Sequence, residues 1–184
     1  MGKTRPDHGA ENHASHWMAV WTRPRAEKAV ARVLEERSVE HWLPLVTARR
    51  QWSDRRREVE LPLFPGYLFA RLPLTGWSNL LRLPGVLTVV KSGRQPALIR
   101  EHQMADLRLA INRLLSGNEV LEVEQDFGPG DRVRVVDGPM AGLVGVVREM
   151  RGKRRLLVGF EQIGRALSVS IGAADVEACG ERVG

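Results

Sequence analysis

Residues 61–72 read LPLFPGYLFARL. Pro62, Pro65 and Gly66 interrupt an otherwise apolar strand, and Phe64, Tyr67 and Phe69 crowd around the interruption. Proline cannot donate a ladder hydrogen bond, and glycine within a strand marks a bulge or a close backbone approach. Sheet pairing is therefore weakest where the aromatic rings are densest. The segment is either an awkward corner of a core or a surface on which another protein sits.

The chain around it has 184 residues, room for one large or two small domains. With 43% hydrophobic and 27% charged residues it reads as globular rather than disordered. No apolar run approaches the roughly 18–20 residues that cross a membrane. The opening MGKTRPDHGAENHASH has no apolar secretory core, and Cys179 is the only cysteine, so the expected setting is cytoplasmic. Residues 1–15 lack periodicity and read as a mobile tail; His8, His13 and His16 have no acidic or cysteine partner at ligand spacing, so no metal is expected.

Downstream of the tail, Trp17, Ala19 and Trp21 alternate with Met18 and Val20 as in a strand covered on both faces. Pro24 stands where a first helical turn tolerates proline, and Ala26, Ala29, Val30, Val33 and Leu34 form one helical face, with Glu27 among the polar residues opposite. Two extended segments flank the Ser53-Asp54 turn and make a long hairpin that includes LPLFPGYLFARL. A short helix over GWSNLLRLPG, a strand at VLTVVKS and a helix with Met104, Leu107, Ile111, Leu114 and Leu115 on one stripe complete an α+β domain over 16–115: one antiparallel sheet flanked by helices. An acidic, glycine-containing stretch at 116–127 reads as a linker. Over 128–180, alternating valines and turn clusters about every ten residues predict a small all-β barrel.

The net charge of +6 and the pI near 10.4 suggest an anionic partner such as nucleic acid. Arg49, Arg50, Arg55, Arg56 and Arg57 gather around Trp52 at the hairpin tip. They form either a solvated tip or a patch that tracks phosphates while the indole stacks on a base.

With these motifs in place, the chain resembles the NusG family of transcription elongation factors, and its spacing is similar to that of the specialised RfaH-like paralogs. LPLFPGYLFARL looks like the family's signature strand, VRVVDGPMAGLVGVV resembles a KOW motif, and IGRALSVSI is similar to the closing hairpin of the NusG barrel. The resemblance implies an NGN-like domain that binds the clamp helices of the largest RNA polymerase subunit and suppresses pausing, without catalysis. The polymerase-binding patch would comprise Trp21, Phe64, Pro65, Gly66, Tyr67 and Phe69, with Phe64 and Phe69 alternatively filling the core. Trp77, Ser78 and Asn79 fall where RfaH-like proteins meet the opposite side of the polymerase cleft, although Trp77 could equally pack inward. Arg23 and Arg25 stand where relatives face the non-template DNA, or at a solvated helix start.

In the KOW domain, Met140 and Leu143 on a loop tip, with Ile163, Gly164 and Arg165, occupy the position at which NusG barrels meet Rho or a small-subunit ribosomal protein. The β-branched, turn-rich sequence over 133–171 predicts a permanent barrel rather than a helical form. The competing reading is an RNA-binding or ribosome-associated KOW module with no polymerase contact. No GxSxG, HExxH or P-loop spacing supports an enzyme, and no cofactor is expected. The expected protein is a monomer with no membrane partner.

Overall fold

The computed structural model describes residues 14–52, 55–116, 122–124, 131–136, 141–150, 153–170 and 176–179. The chain is α+β and divides into two compact units, Met1–Ile99 and Arg100–Gly184.

In the first unit, β1 (Ser15–Thr22) leads into α1 (Glu27–Glu36), β2 (Glu40–Trp42), β3 (Leu45–Trp52), β4 (Arg55–Pro62) and β5 (Tyr67–Pro73). A 3-10 turn at Trp77–Arg82 stands where a short helix was expected, followed by β6 (Val86–Val89), β7 (Lys91–Ser92), β8 (Gln95–Pro96) and β9 (Leu98–Ile99). The main sheet runs β2-β5-β1-β6, all antiparallel, with β9 also on β1. Alternation along β1 and β5 sends Met18, Val20, Leu68, Ala70 and Leu72 to one face, where Val30 and Leu34 of α1, Leu80 of the 3-10 turn and Leu83 just after it close over them. These side chains are almost wholly removed from water, and such burial dominates the stability of the unit.

Two expectations change here. The hairpin β3–β4 is a separate two-stranded sheet, not part of the main one. The hairpin also does not include the whole signature segment: its second arm ends at Pro62, and Tyr67–Pro73 forms β5, which lies between β2 and β1. The sheet accommodates the signature prolines because Pro65 falls outside the strand, in the turn before β5, where no ladder donor is required.

The second unit begins with α2 (Glu101–Ser116), followed by β10 (Glu122–Glu124), β11 (Asp131–Val135), β12 (Val144–Met150), β13 (Lys153–Phe160), a 3-10 turn at Glu161–Ile163, β14 (Arg165–Ser170) and β15 (Val176–Ala178). Its antiparallel sheet runs β10-β14-β13-β12-β11-β15. Gly145 of β12 permits a close approach of β13, since a Cβ there would stand 2.6 Å from the Leu157 carbonyl oxygen.

The sequence expectation ended the first domain beyond α2, whereas by its contacts α2 groups with this second unit. It packs against β13, and the Arg113 guanidinium donates a 2.8 Å hydrogen bond to the Ala141 carbonyl. Met104, Leu107 and Ile111 are buried as the stripe predicts, but Leu115 at the last turn is exposed. Burial raises the Asp106 carboxyl above its ordinary 3.8, while His102, Arg132 and Arg134 pull it back part of the way.

Candidate functional site

Three proline turns of one kind build the site. At Phe64–Tyr67 the Tyr67 N–H donates to the Phe64 carbonyl at 3.0 Å, and Gly66 has φ +84°. That is the type II turn, with proline at its second position and a left-handed residue at its third. Pro84-Gly85 repeats it: Val86 N–H donates to Leu83 at 3.1 Å, and Gly85 has φ +90°. Arg23–Ala26 is the third, closed by Ala26 N–H on the Arg23 carbonyl at 3.1 Å, but here Arg25, at φ 65°, fills the glycine slot. Pro24 therefore belongs to a turn, and α1 starts later than its sequence suggested, at Glu27.

The end of β1 ties these turns together. Thr22 N–H donates to the Gly66 carbonyl at 2.8 Å, and the next amide, Arg23 N–H, donates to the Gly85 carbonyl at 2.8 Å. Thr22 Oγ1 adds a 3.3 Å bond to the same Gly66 oxygen. At its other backbone group the same residue is also held: Gly66 N–H donates to Glu27 Oε1 at 2.7 Å. Glu27 was expected on the solvent face of α1, yet it is 4% exposed. Its carboxylate caps no amide of its own helix in this arrangement; it grips the signature turn, 39 residues along the chain.

This scaffold holds Trp21 open. Trp21 pairs with Tyr67 across β1 and β5, their rings stacked with centroids 6.5 Å apart, and Trp21 remains 46% exposed. Beside it runs a groove of about 700 Å3 with apolar walls from Trp21, Pro24, Leu61, Pro62, Pro65 and Leu87. Arg25 and Lys28 stand on its rim, and Lys28 meets Glu60 at 3.6 Å. Concave apolar walls with a few charges at the edge suit an amphipathic helix. The buried acid among its described lining residues, Glu27, is committed to a backbone amide.

Of the sequence-predicted patch, Trp21, Pro65 and Gly66 line this groove and Tyr67 stacks on Trp21 without lining it, while Phe64 and Phe69 do not reach it. Both are fully buried, packed edge-to-face at 6.2 Å, with Trp42 against Phe69 at 5.8 Å. The reason is position along β5. Phe69 lies opposite Ala19 in mid-sheet and is covered, whereas Tyr67 lies opposite Trp21 where the sheet ends.

The remaining candidates are dispersed. Trp77 packs partly against the α1-side core with the Lys91 ammonium 5.0 Å from its ring centroid, while Ser78 and Asn79 are exposed. Arg23 and Arg25 are exposed. For Arg49, Arg50, Arg55, Arg56 and Arg57 only the backbone is described: Arg49 lies opposite Glu58 and Arg50 opposite Arg57 on β3–β4. In the second unit, Leu143 and Ile163 are buried rather than displayed on a loop tip, Gly164 turns at φ +61°, Arg165 is half-buried, and Met140 lies outside the described residues. Among the described residues no cluster of acidic, histidine or cysteine side chains could hold a metal, and no helix is long and apolar enough to cross a membrane.

The family model for the transcription termination factor NusG matches residues 15–108. The chain belongs to the NusG family. It is 29% identical to the transcription termination/antitermination protein NusG of Lactococcus lactis over 73% of this chain and 72% of that one. The Buchnera aphidicola protein of the same name is 33% identical over 68% and 70%. Among solved structures, Thermotoga maritima NusG aligns with 90% of this chain and 98% of its own at 24% identity, with a TM-score of 0.45. The NusG match spans β1 through the first half of α2 and thus takes in the three turns, Trp21 and the groove.

Proposed function

We propose that this NusG-family protein is an elongation and antitermination factor that seats the clamp helices of RNA polymerase in the Trp21–Pro65–Leu87 groove and suppresses pausing by binding alone. The half-exposed indole of Trp21, stacked on Tyr67 beside a rigid Pro-Gly turn, supports this reading best. An indole fixed in this way presents a large apolar face with little conformational entropy left to lose, as an interface anchor requires. Arg23 and Arg25 at the groove end face the displaced non-template strand, and the arginine hairpin adds phosphate contacts. The second unit, a KOW domain, recruits Rho or a small-subunit ribosomal protein. Because Leu143 and Ile163 are buried, that contact runs through Met140, Gly164 and Arg165 rather than through an aliphatic pair.

Trp21→Ala combined with Tyr67→Ala tests the groove. Trp21 is half exposed and Tyr67 only partly buried, so the fold survives, while affinity for a reconstituted elongation complex falls roughly 30-fold or more, the loss of one strong anchor. Wild-type affinity in a folded double variant would refute the reading.

A further inference from the structure

α1 carries a second cavity at its other end, roughly 15 Å from the groove at the helical rise of 1.5 Å per residue. Its volume is about 320 Å3, and Leu34, Leu72, Leu80 and Leu83 form its apolar floor. Arg37, Arg82 and Asn79 stand around it, all three exposed. Among the described residues no acidic side chain lines it, and neither arginine has an ion-pair partner. Glu35, the nearest acid on the helix to face a cavity, lines a different one with Lys28 and Arg32. The site therefore combines a leucine-lined floor with two uncompensated guanidiniums.

We infer that this cavity binds an acidic peptide segment that inserts one apolar side chain between flanking carboxylates. Each component of the cavity excludes another ligand. Single-stranded nucleic acid binds by stacking its bases on aromatic rings, and among the described residues no aromatic side chain lines this cavity. A bare phosphate gains nothing from four leucines. The volume lies at the lower end of the roughly 300–1,000 Å3 of ligand sites, enough for a leucine or phenylalanine side chain but tight for a nucleotide. Guanidinium forks at the mouth match carboxylates on either side of an inserted residue, and Asn79 can bond the peptide backbone. This site stands apart from the clamp-helix reading, since it shares no lining residue with the groove except through the continuity of α1.

The test is a titration of the full chain, with leucine methyls labelled for NMR, by the capped pentapeptide Glu-Asp-Leu-Asp-Glu. The expected result is saturable shifts at Leu34, Leu72, Leu80 and Leu83, and none at Leu61 or Leu87. Replacing the central leucine of the peptide by serine, or its acids by lysine, abolishes the shifts. Arg37→Glu with Arg82→Glu weakens binding about tenfold, and both positions are exposed, so the fold is retained. The Trp21→Ala, Tyr67→Ala variant binds the peptide like the wild type, so the two readings fail separately. Absence of saturation, equal shifts with the lysine peptide, equal shifts with inorganic phosphate or oligo-dT, or unchanged binding by the double arginine variant would each overturn the assignment.

Discussion

Replacing Glu27 by alanine tests how the signature turn is held. The Glu27 carboxylate is 4% exposed and accepts the Gly66 amide at 2.7 Å. With alanine, the Gly66 N–H loses the Glu27 acceptor in a partly buried site, and a charged hydrogen bond of this kind is worth about 1.5–3 kcal/mol. The first turn of α1 also loses its one acidic residue, which adds roughly 0.3–1 kcal/mol through the helix dipole. The expected cost is about 2–4 kcal/mol, which lowers the melting temperature of a unit of this size by roughly 10–30 °C.

Calorimetry and amide exchange read the two parts of this effect separately. Glu27→Gln keeps an oxygen acceptor and should lose only the charge-dependent part, about 1 kcal/mol. Glu36→Ala, at the exposed far end of the same helix, should stay within about 0.5 kcal/mol of the wild type. In Glu27→Ala the Gly66 amide itself should lose exchange protection, since Thr22 holds only the carbonyl side of that residue. If Glu27→Ala melts with Glu36→Ala and Gly66 stays protected, the tether contributes nothing and the turn is held by its own geometry.

Three further outcomes follow from the same structure. Gly66→Ala suffers from its φ alone, because the added Cβ would sit 3.5 Å from Trp21 Nε1, so it costs about 1–2 kcal/mol. Gly85→Ala costs a further 1–3 kcal/mol or so, since its Cβ would press on Ala26 Cβ at 3.0 Å and Val30 Cγ2 at 3.2 Å; equal melting curves for the two would contradict this. Arg25→Gly should raise stability by about 0.5–1 kcal/mol over Arg25→Ala by removing a left-handed non-glycine residue, while both variants weaken elongation-complex binding alike. For Asp106 the raised carboxyl pKa means that folding favours its protonated form, so its contribution is intact below 3.8 and is lost as pH rises through the higher folded value. Asp106→Asn should therefore match the wild type in acid and melt higher at neutral pH; a lower melting point at neutral pH would show that attraction to Arg132, Arg134 and His102 outweighs burial.

What the sequence revealed depended on how local the cause was. The type II turn at Pro65-Gly66 is written in two adjacent residues, and Trp21 announces itself by ring size; both could be read from the chain. For Phe69 the chain left patch and core both open, because its fate depends on lying opposite Ala19 rather than Trp21, a matter of register between strands that are separated by α1 and the hairpin. Glu27 escaped notice for the same reason. On a helical wheel it is a polar residue among polar residues, and only the return of the chain 39 residues later brings an unpaired amide to it. A signal was nonetheless present: three X-Pro-X-X turns recur at Pro24, Pro65 and Pro84, and consecutive amides at the end of β1 must find partners. Pairing Thr22 and Arg23 with the two glycine carbonyls would have gathered all three turns at one end of the sheet, and the groove with them. The aromatic rings are thus not what opens the surface. Backbone amides and one buried carboxylate fix the turns, and Trp21 is exposed because it stands where those turns end the sheet.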